Sequence, residues 1–158
     1  LLHRQPGALG ALLSDGRVFC ELIADGFHVH PSLIALAAGL KGEKLVLVSD
    51  SIRFSGLPEG EHTIAGQTVT VKGIECRLPD GTIAGSTLTM DRAVRNAHTL
   101  GGLSLERALT AAAKAPAASI GETERGDLLP GFAADIAVFT QAMQPSMTLV
   151  GGEVAWQA

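Results

Sequence analysis

Cysteine is scarce in this chain of 158 residues, which holds only Cys20 and Cys76. Two thiols so placed make neither a CxxC metal pair nor a disulfide framework, so reduced thiols in a cytoplasmic protein are expected. No apolar run is long enough to cross a bilayer, and the first residues lack the pattern of a signal peptide, so no membrane partner is expected. Lys/Arg clusters are also missing, and the formal charge of −4 gives nucleic acid nothing to hold. There is no Walker-type phosphate loop, no GxGxxG after a strand and no GxSxG elbow, which removes three common catalytic designs. What remains is an apolar content of 46%, sufficient for the core of one ordinary domain.

The chain is organised around residues 19–50, FCELIADGFHVHPSLIALAAGLKGEKLVLVSD. Residues 19–24 are an apolar run that stops at the turn signal Asp25-Gly26, with His28 and His30 directly after it. Pro31 suits the first turn of a helix whose apolar side is read as Leu33, Ile34, Leu36, Ala37 and Leu40. Gly42 is placed to end that helix through a left-handed cap. Leu45–Val48 shows no alternation, as expected of a strand buried on both faces of a parallel sheet, and it runs into Ser49-Asp50. Two parallel strands joined by a helix aim their ends the same way. His28 and Asp50 are therefore expected at one rim, where α/β folds keep their active sites.

The start, Leu1-Leu2-His3, has no methionine, and the chain contains one complete strand-helix-strand unit where a covered parallel sheet needs several. It is read as the later part of something larger, against the alternative of a self-contained α+β domain. Ahead of the first strand, Arg4-Gln5-Pro6-Gly7 is a turn, and residues 8–13 are a short helix or an apolar loop. After Asp50 the period changes: residues 68–71, 74–78 and 82–84 alternate around Lys72-Gly73 and Pro79-Asp80-Gly81, which predicts an antiparallel meander. Residues 85–87 are read as the cap of a helix over 88–98, with Met90, Ala93, Val94 and Ala97 inward and Arg92, Arg95 and Asn96 outward. Ser104 caps the next helix, and Pro116 opens a last turn ending at Gly121. Residues 136–139, 147–150 and 154–156 are strands, the last two a hairpin through Gly151-Gly152. Arg125-Gly126-Asp127 spells an adhesion tripeptide but is read as an ordinary turn.

His28-Val29-His30 on an extended segment puts two imidazoles on one side, a geometry suited to a metal. His62 and His98, the only histidines further on, are badly placed to complete such a site. The alternatives are one histidine bonding substrate, or two structural histidines. Asp50 follows four buried residues, and burying its carboxylate unpaired is costly, so it is expected to face a cleft.

The segments ELIADGFHVHP, LVLVSDS, LPEGEHTIAGQTVTVKG, LPDGTIAGSTLTMDRAVRN, SLERALTAAAKAPAASIG and GDLLPGFAADIAVF resemble the C-terminal part of the N-acetylglucosamine-6-phosphate deacetylase family of amidohydrolases. The ADGxHVHP and AGSTLTMDRAVRN segments are specific to these deacetylases, and the ending PGxxADIAVF is shared by many amidohydrolases. The resemblance implies an α/β fold: the C-terminal part of a (β/α)8 barrel, strands 7 and 8 with the following helices, plus strands of a small β-sandwich. Residues 1–122 would be the barrel portion, with a meander insertion at about 57–84, and residues 123–158 the sandwich strands.

Hydrolysis of the acetamide of N-acetylglucosamine 6-phosphate to glucosamine 6-phosphate and acetate is the implied reaction. A divalent metal would polarise the amide carbonyl and acidify the attacking water. In that scheme Asp50 is the catalytic carboxylate, taking a proton from the water and returning it to the leaving amine. His28 would bind the sugar and its acetamide. Arg4, in RQPG where the family has REPG, would bind the phosphate, reaching into the site of a neighbouring subunit in a homodimer. The backbone of Ile83, Ala84 and Gly85 would lie against the sugar phosphate, with Gly85 permitting close approach. His30 takes no role. Gln5 and Phe132 depart from the family's usual Glu and Lys. The family's metal ligands, a glutamate and two histidines, and its HLxNAM stretch are expected upstream of Leu1, so this polypeptide alone is expected to be inactive. The alternatives are an amidohydrolase acting on another N-acyl sugar or a cyclic amide, and a non-catalytic remnant serving as a structural or interaction module.

Overall fold

Leu45–Val48 forms strand β2 and pairs in parallel with β1, Cys20–Ile23, in the register Cys20 to Leu45 through Ile23 to Val48. The structure, a computed structural model, describes residues 2–158. The crossover between the strands is helix α2, Pro31–Lys41, with Pro31 at its start. Gly42 has a positive φ of 52°, but its ψ of −121° lies outside the left-handed helical region expected for it, and the chain tightens into a 3-10 turn, Gly42–Lys44.

The inward side of α2 is also not the one expected. Ile34, Ala37, Ala38 and Lys41 are buried, and Leu33, Leu36 and Leu40 are exposed. The reason lies at the end of the helix. The ammonium of Lys41 donates to the carbonyls of Leu12 and Asp15 at 2.9 and 2.8 Å, satisfying the C-terminal end of helix α1, Gly7–Ser14. Turning Lys41 inward sets the phase of the whole helix, with the small Ala37 and Ala38 at the contact.

Behind the two parallel strands pack three further helices, α3 (Met90–Thr99), α4 (Leu105–Ala112) and α5 (Lys114–Ser119). Their small and aliphatic inward residues, among them Val94, Ala97 and Ala108, join Leu103 of the link between α3 and α4 and Leu22, Ile34, Leu45 and Leu47 in one core. Burying a side chain of the size of Leu or Val contributes about 1.5–3 kcal/mol. The cap of α3 falls at Thr89 rather than at residues 85–87. Arg95 and Asn96 are half-buried rather than outside: Asn96 Nδ2 donates to the Ala24 carbonyl at 2.9 Å, and Arg95 bonds both Asp91 and the carbonyl of Met143. Ser104 caps α4, accepting from the Arg107 amide, as expected. Pro116 sits inside the first turn of α5, which begins at Lys114, rather than opening a turn of its own. Beside the pair lies a hollow of about 510 Å³ lined by Leu12, Phe19, Glu21, Val46, Ser119 and Ile120.

The meander is a four-stranded antiparallel sheet in the order β3-β4-β5-β6, with β3 at Gly60–Ile64, β4 at Gln67–Lys72, β5 at Glu75–Arg77 and β6 at Ile83–Ser86. β3 carries too little apolar sequence to be read as a strand, because it is an edge with one half-exposed face. Phe54, Val69, Val71 and Cys76 form the core of this sheet. A third sheet, β7 (Ile136–Phe139), β8 (Pro145–Val150) and β9 (Glu153–Gln157), is antiparallel, and Gly151 and Gly152 turn its hairpin with φ of 58° and 87°. Arg125 pairs with Asp135 and Glu122, and Asp127 with Lys114, so the tripeptide's charges tie a turn in place. Among the described residues, no helix is long and apolar enough to cross a membrane.

Candidate active site

The two parallel strands end side by side, and each delivers one reactive side chain. His28 Nε2 lies 3.8 Å from Asp50 Oδ2, so the rim expected from the chain's direction is formed. Asp50 is open, its side chain 49% exposed, and His28 retains 15%.

On the first strand's side, the segment after Asp25 is bent. Asp25 Oδ1 accepts from the amides of Phe27 and His28, both at 2.8 Å, and this Asx turn replaces the extended segment assumed for His28-Val29-His30. The two imidazoles therefore part. His28 Nδ1 meets Asp25 Oδ2 at 2.6 Å, and His30 Nδ1 accepts from the Ser32 amide and pairs with its hydroxyl at the start of α2. His30 is a helix cap, and the paired-histidine metal reading falls. Phe27 presents its ring edge-on to His28 at 5.2 Å, and the Arg77 guanidinium covers the Phe27 ring at 4.8 Å.

On the second strand's side, Asp50 has a φ of 50°, a conformation that Asp tolerates better than most residues. It is held there from β6. The Ser86 amide donates to the Asp50 carbonyl at 2.9 Å, the Ile52 amide donates to the Ser86 carbonyl at 2.9 Å, and Ser86 Oγ donates to the Ser49 carbonyl at 2.6 Å while accepting from the Leu88 amide. Ser86 is fully buried. The sequence presents it only as a cap candidate; its true signal is position, one residue past a glycine at a strand end. Removing the hydroxyl in Ser86→Ala strands the half-buried Ser49 carbonyl and the buried Leu88 amide, and is expected to lower stability by about 1–3 kcal/mol. Urea denaturation checks this, as a lower midpoint with an unchanged slope.

Gly85 lies against the same residue. A Cβ at position 85 would sit 2.6 Å from Ile52 Cγ2, 3.1 Å from the Asp50 carbonyl and 3.7 Å from Asp50 Oδ2. Ala84 packs towards the meander core, and Ile83 is exposed on the edge strand opposite Arg77; Gly85 is the position at which an added side chain would meet Asp50. Arg4 is exposed ahead of α1 and makes no hydrogen bond or ion pair with His28 or Asp50 among the described residues. His62 Nε2 bonds the Pro58 carbonyl and stacks on Phe54, and His98 Nδ1 bonds the Leu103 carbonyl.

Burial pushes the thiol of Cys76 up, and the nearby Asp50 carboxylate adds to the effect; the thiol of Cys20 is raised by burial as well. As for a metal, a half-exposed carboxylate and one imidazole are fewer donors than a divalent ion requires, and no group of three or more His, Cys, Asp or Glu is so disposed among the described residues. The described residues do not fit a metal centre by themselves, and the chemistry below is confined to their own atoms.

Residues 7–155 match the model of the Amidohydrolase family. A protein of Escherichia coli (strain K12), provisionally named as an N-acetylgalactosamine-6-phosphate deacetylase, is 37% identical over 156 residues, which are 98% of this chain and 93% of that one. The N-acetylglucosamine-6-phosphate deacetylase of Homo sapiens is 39% identical over 163 residues, 99% of this chain and 40% of the human protein. The crystal structure of N-acetylglucosamine-6-phosphate deacetylase from Thermotoga maritima superposes with a TM-score of 0.93 at 34% identity, covering all of this chain and 44% of that one. The chain thus spans nearly all of one relative and about two-fifths of the others. It belongs to the amidohydrolase family, within which it is similar from end to end to the N-acetylhexosamine-6-phosphate deacetylases.

Proposed function

We propose that this chain carries the proton-transfer rim of an N-acetylglucosamine-6-phosphate deacetylase. The observation that supports this best is the 3.8 Å approach of His28 Nε2 to Asp50 Oδ2 at the paired strand ends, in a chain with these relatives. In the reaction, the oxygen of water adds to the acetamide carbon and the carbon–nitrogen bond breaks, giving acetate and the 2-amino sugar. Asp50, half in solvent, takes a proton from the attacking water and hands it to the departing nitrogen, which cannot leave as an amide anion. His28 Nε2 faces the same opening and holds the sugar and its acetamide against Asp50, so that the two groups meet in a fixed geometry.

In the same reading, β1 and β2 are the seventh and eighth strands of a (β/α)8 barrel. The hollow beside Phe19, Glu21 and Val46 agrees with this, because a parallel sheet is normally covered on both faces. Residues 1–122 then form the barrel portion, with the meander inserted, and β7, β8 and β9 belong to a small sandwich. The divalent metal typical of the family would be held by residues outside this chain. Arg4 binds the 6-phosphate, in the site of a second copy of the protein, and the edge of β6 at Ile83, Ala84 and Gly85 lies along the sugar phosphate.

Acetate release by the intact protein from N-acetylglucosamine 6-phosphate, from its galacto epimer and from unphosphorylated N-acetylglucosamine tests the reading. Both phosphorylated sugars are expected to be hydrolysed, given the galactosamine relative, with kcat/KM about 10- to 100-fold above the unphosphorylated sugar, the worth of one charge-assisted contact. No acetate from either phosphate, or equal rates with and without it, refutes the assignment.

A further inference from the structure

We infer that Asp25 is a positioning residue that fixes the tautomer and ring orientation of His28, an inference that rests on the proposed deacetylase function for its kinetic consequence. The Asp25 side chain is completely buried, yet it is a carboxylate. Capping the turn requires only Oδ1, which takes the amides of Phe27 and His28. Asparagine caps such a turn equally well and avoids the cost of burying a charge. Oδ2 is the atom the turn does not need, and it is the atom that meets His28 Nδ1 at 2.6 Å. An ionised carboxylate only accepts, so Nδ1 must carry the hydrogen, and Nε2 is the nitrogen presented to Asp50 and to the opening. The residue before Asp25 is fixed from behind by Asn96 Nδ2 on the Ala24 carbonyl, and the ring is flanked by Phe27. The pair is thus anchored at the end of β1, and the ring has one orientation available.

The isosteric change Asp25→Asn separates this role from the turn. The two backbone amides still demand an oxygen, so the new NH2 group faces Nδ1, which must then accept, and the ring hydrogen moves to Nε2. In serine proteases an orienting aspartate changed in this way costs about 10⁴-fold through the wrong tautomer. Here kcat/KM for N-acetylglucosamine 6-phosphate is expected to fall by at least about 10²-fold. Proton–nitrogen correlation spectra of the histidine-labelled intact protein should show His28 with hydrogen on Nδ1 in the wild type and on Nε2 in Asp25→Asn. In a His28→Gln background, which has no tautomer to set, Asp25→Asn should cost less than about threefold.

A wild-type His28 without hydrogen on Nδ1 overturns the inference, and this reading stands even if Asp25→Asn does not fold. An unchanged tautomer in the variant, or the same loss in the His28→Gln background, overturns it equally. A protein that releases no acetate from any substrate defeats the deacetylase assignment instead, and the spectra still decide what Asp25 does.

Discussion

Asp50→Asn is expected to lower the turnover of N-acetylglucosamine 6-phosphate by about 10²–10⁴-fold, the usual worth of a positioned acid–base group. The change is a clean one. Asparagine is among the few residues that accept a φ of 50°, and the bond to Asp50 that fixes the loop comes from the Ser86 amide to the main-chain carbonyl, which the substitution leaves alone. With the side chain half in solvent, loss of its charge removes no buried partner. Fold and stability should therefore be retained: the thermal midpoint is expected to move by no more than a few degrees, and acetate release alone should collapse. Retention of near-normal turnover means that another group moves the proton, and the role given to Asp50 is then wrong.

Gly85→Ala is expected to be nearly as damaging by a different route. Gly85 has a φ of 86°, so any side chain there is strained by about 1–3 kcal/mol before it meets a neighbour. It then meets two, the Ile52 methyl at 2.6 Å and the Asp50 carbonyl at 3.1 Å. The methyl of Ile52 can give way, but the carbonyl belongs to Asp50, the residue proposed to move the proton. Displacing a reacting group by about 1 Å costs on the order of 10²-fold, and a fall of that size in kcat is expected, together with a lower thermal midpoint. The double variant Gly85→Ala with Ile52→Ala removes the tighter of the two contacts and should recover part of the stability but little of the rate. Full recovery of both points to Ile52 packing, not Asp50 placement, as the reason for glycine.

The parallel strands and their rim were legible because the signal is local: four apolar residues without alternation, then a carboxylate, leave few other readings. The phase of α2 was not. Leu33, Ile34, Leu36, Ala37, Ala38 and Leu40 make that helix apolar almost all round, so hydrophobicity does not say which side faces in. Lys41 decides it by reaching back to carbonyls of α1, a contact no periodicity encodes. Asp25 was visible only as half of an Asp-Gly turn signal. That turn is real, but it uses one oxygen, and the work of the other depends on where the imidazole three residues later points. Ser86 was hidden in a similar way: a serine ahead of a helix reads as its cap, and beside the local Leu88 amide its partners include Ser49 and Asp50, far away in sequence. β3 escaped because an edge strand with polar residues on both sides gives no alternation to read.

The attachment of β6 at Ser86 divides the meander into two parts with different freedom. Its far turn at Ala65-Gly66 makes no hydrogen bond to His28 or Asp50, and inserted sequence, a fluorophore or a fused peptide can be carried there as on any exposed hairpin. Its turn at Asp80-Gly81 is less free, since the Gly81 carbonyl holds the Arg77 guanidinium that covers Phe27 beside His28. Its last two residues tolerate no such traffic, since a slip of one position would exchange Gly85 for Ala84 beside the carboxylate and take the Ser86 hydroxyl out of reach of Ser49.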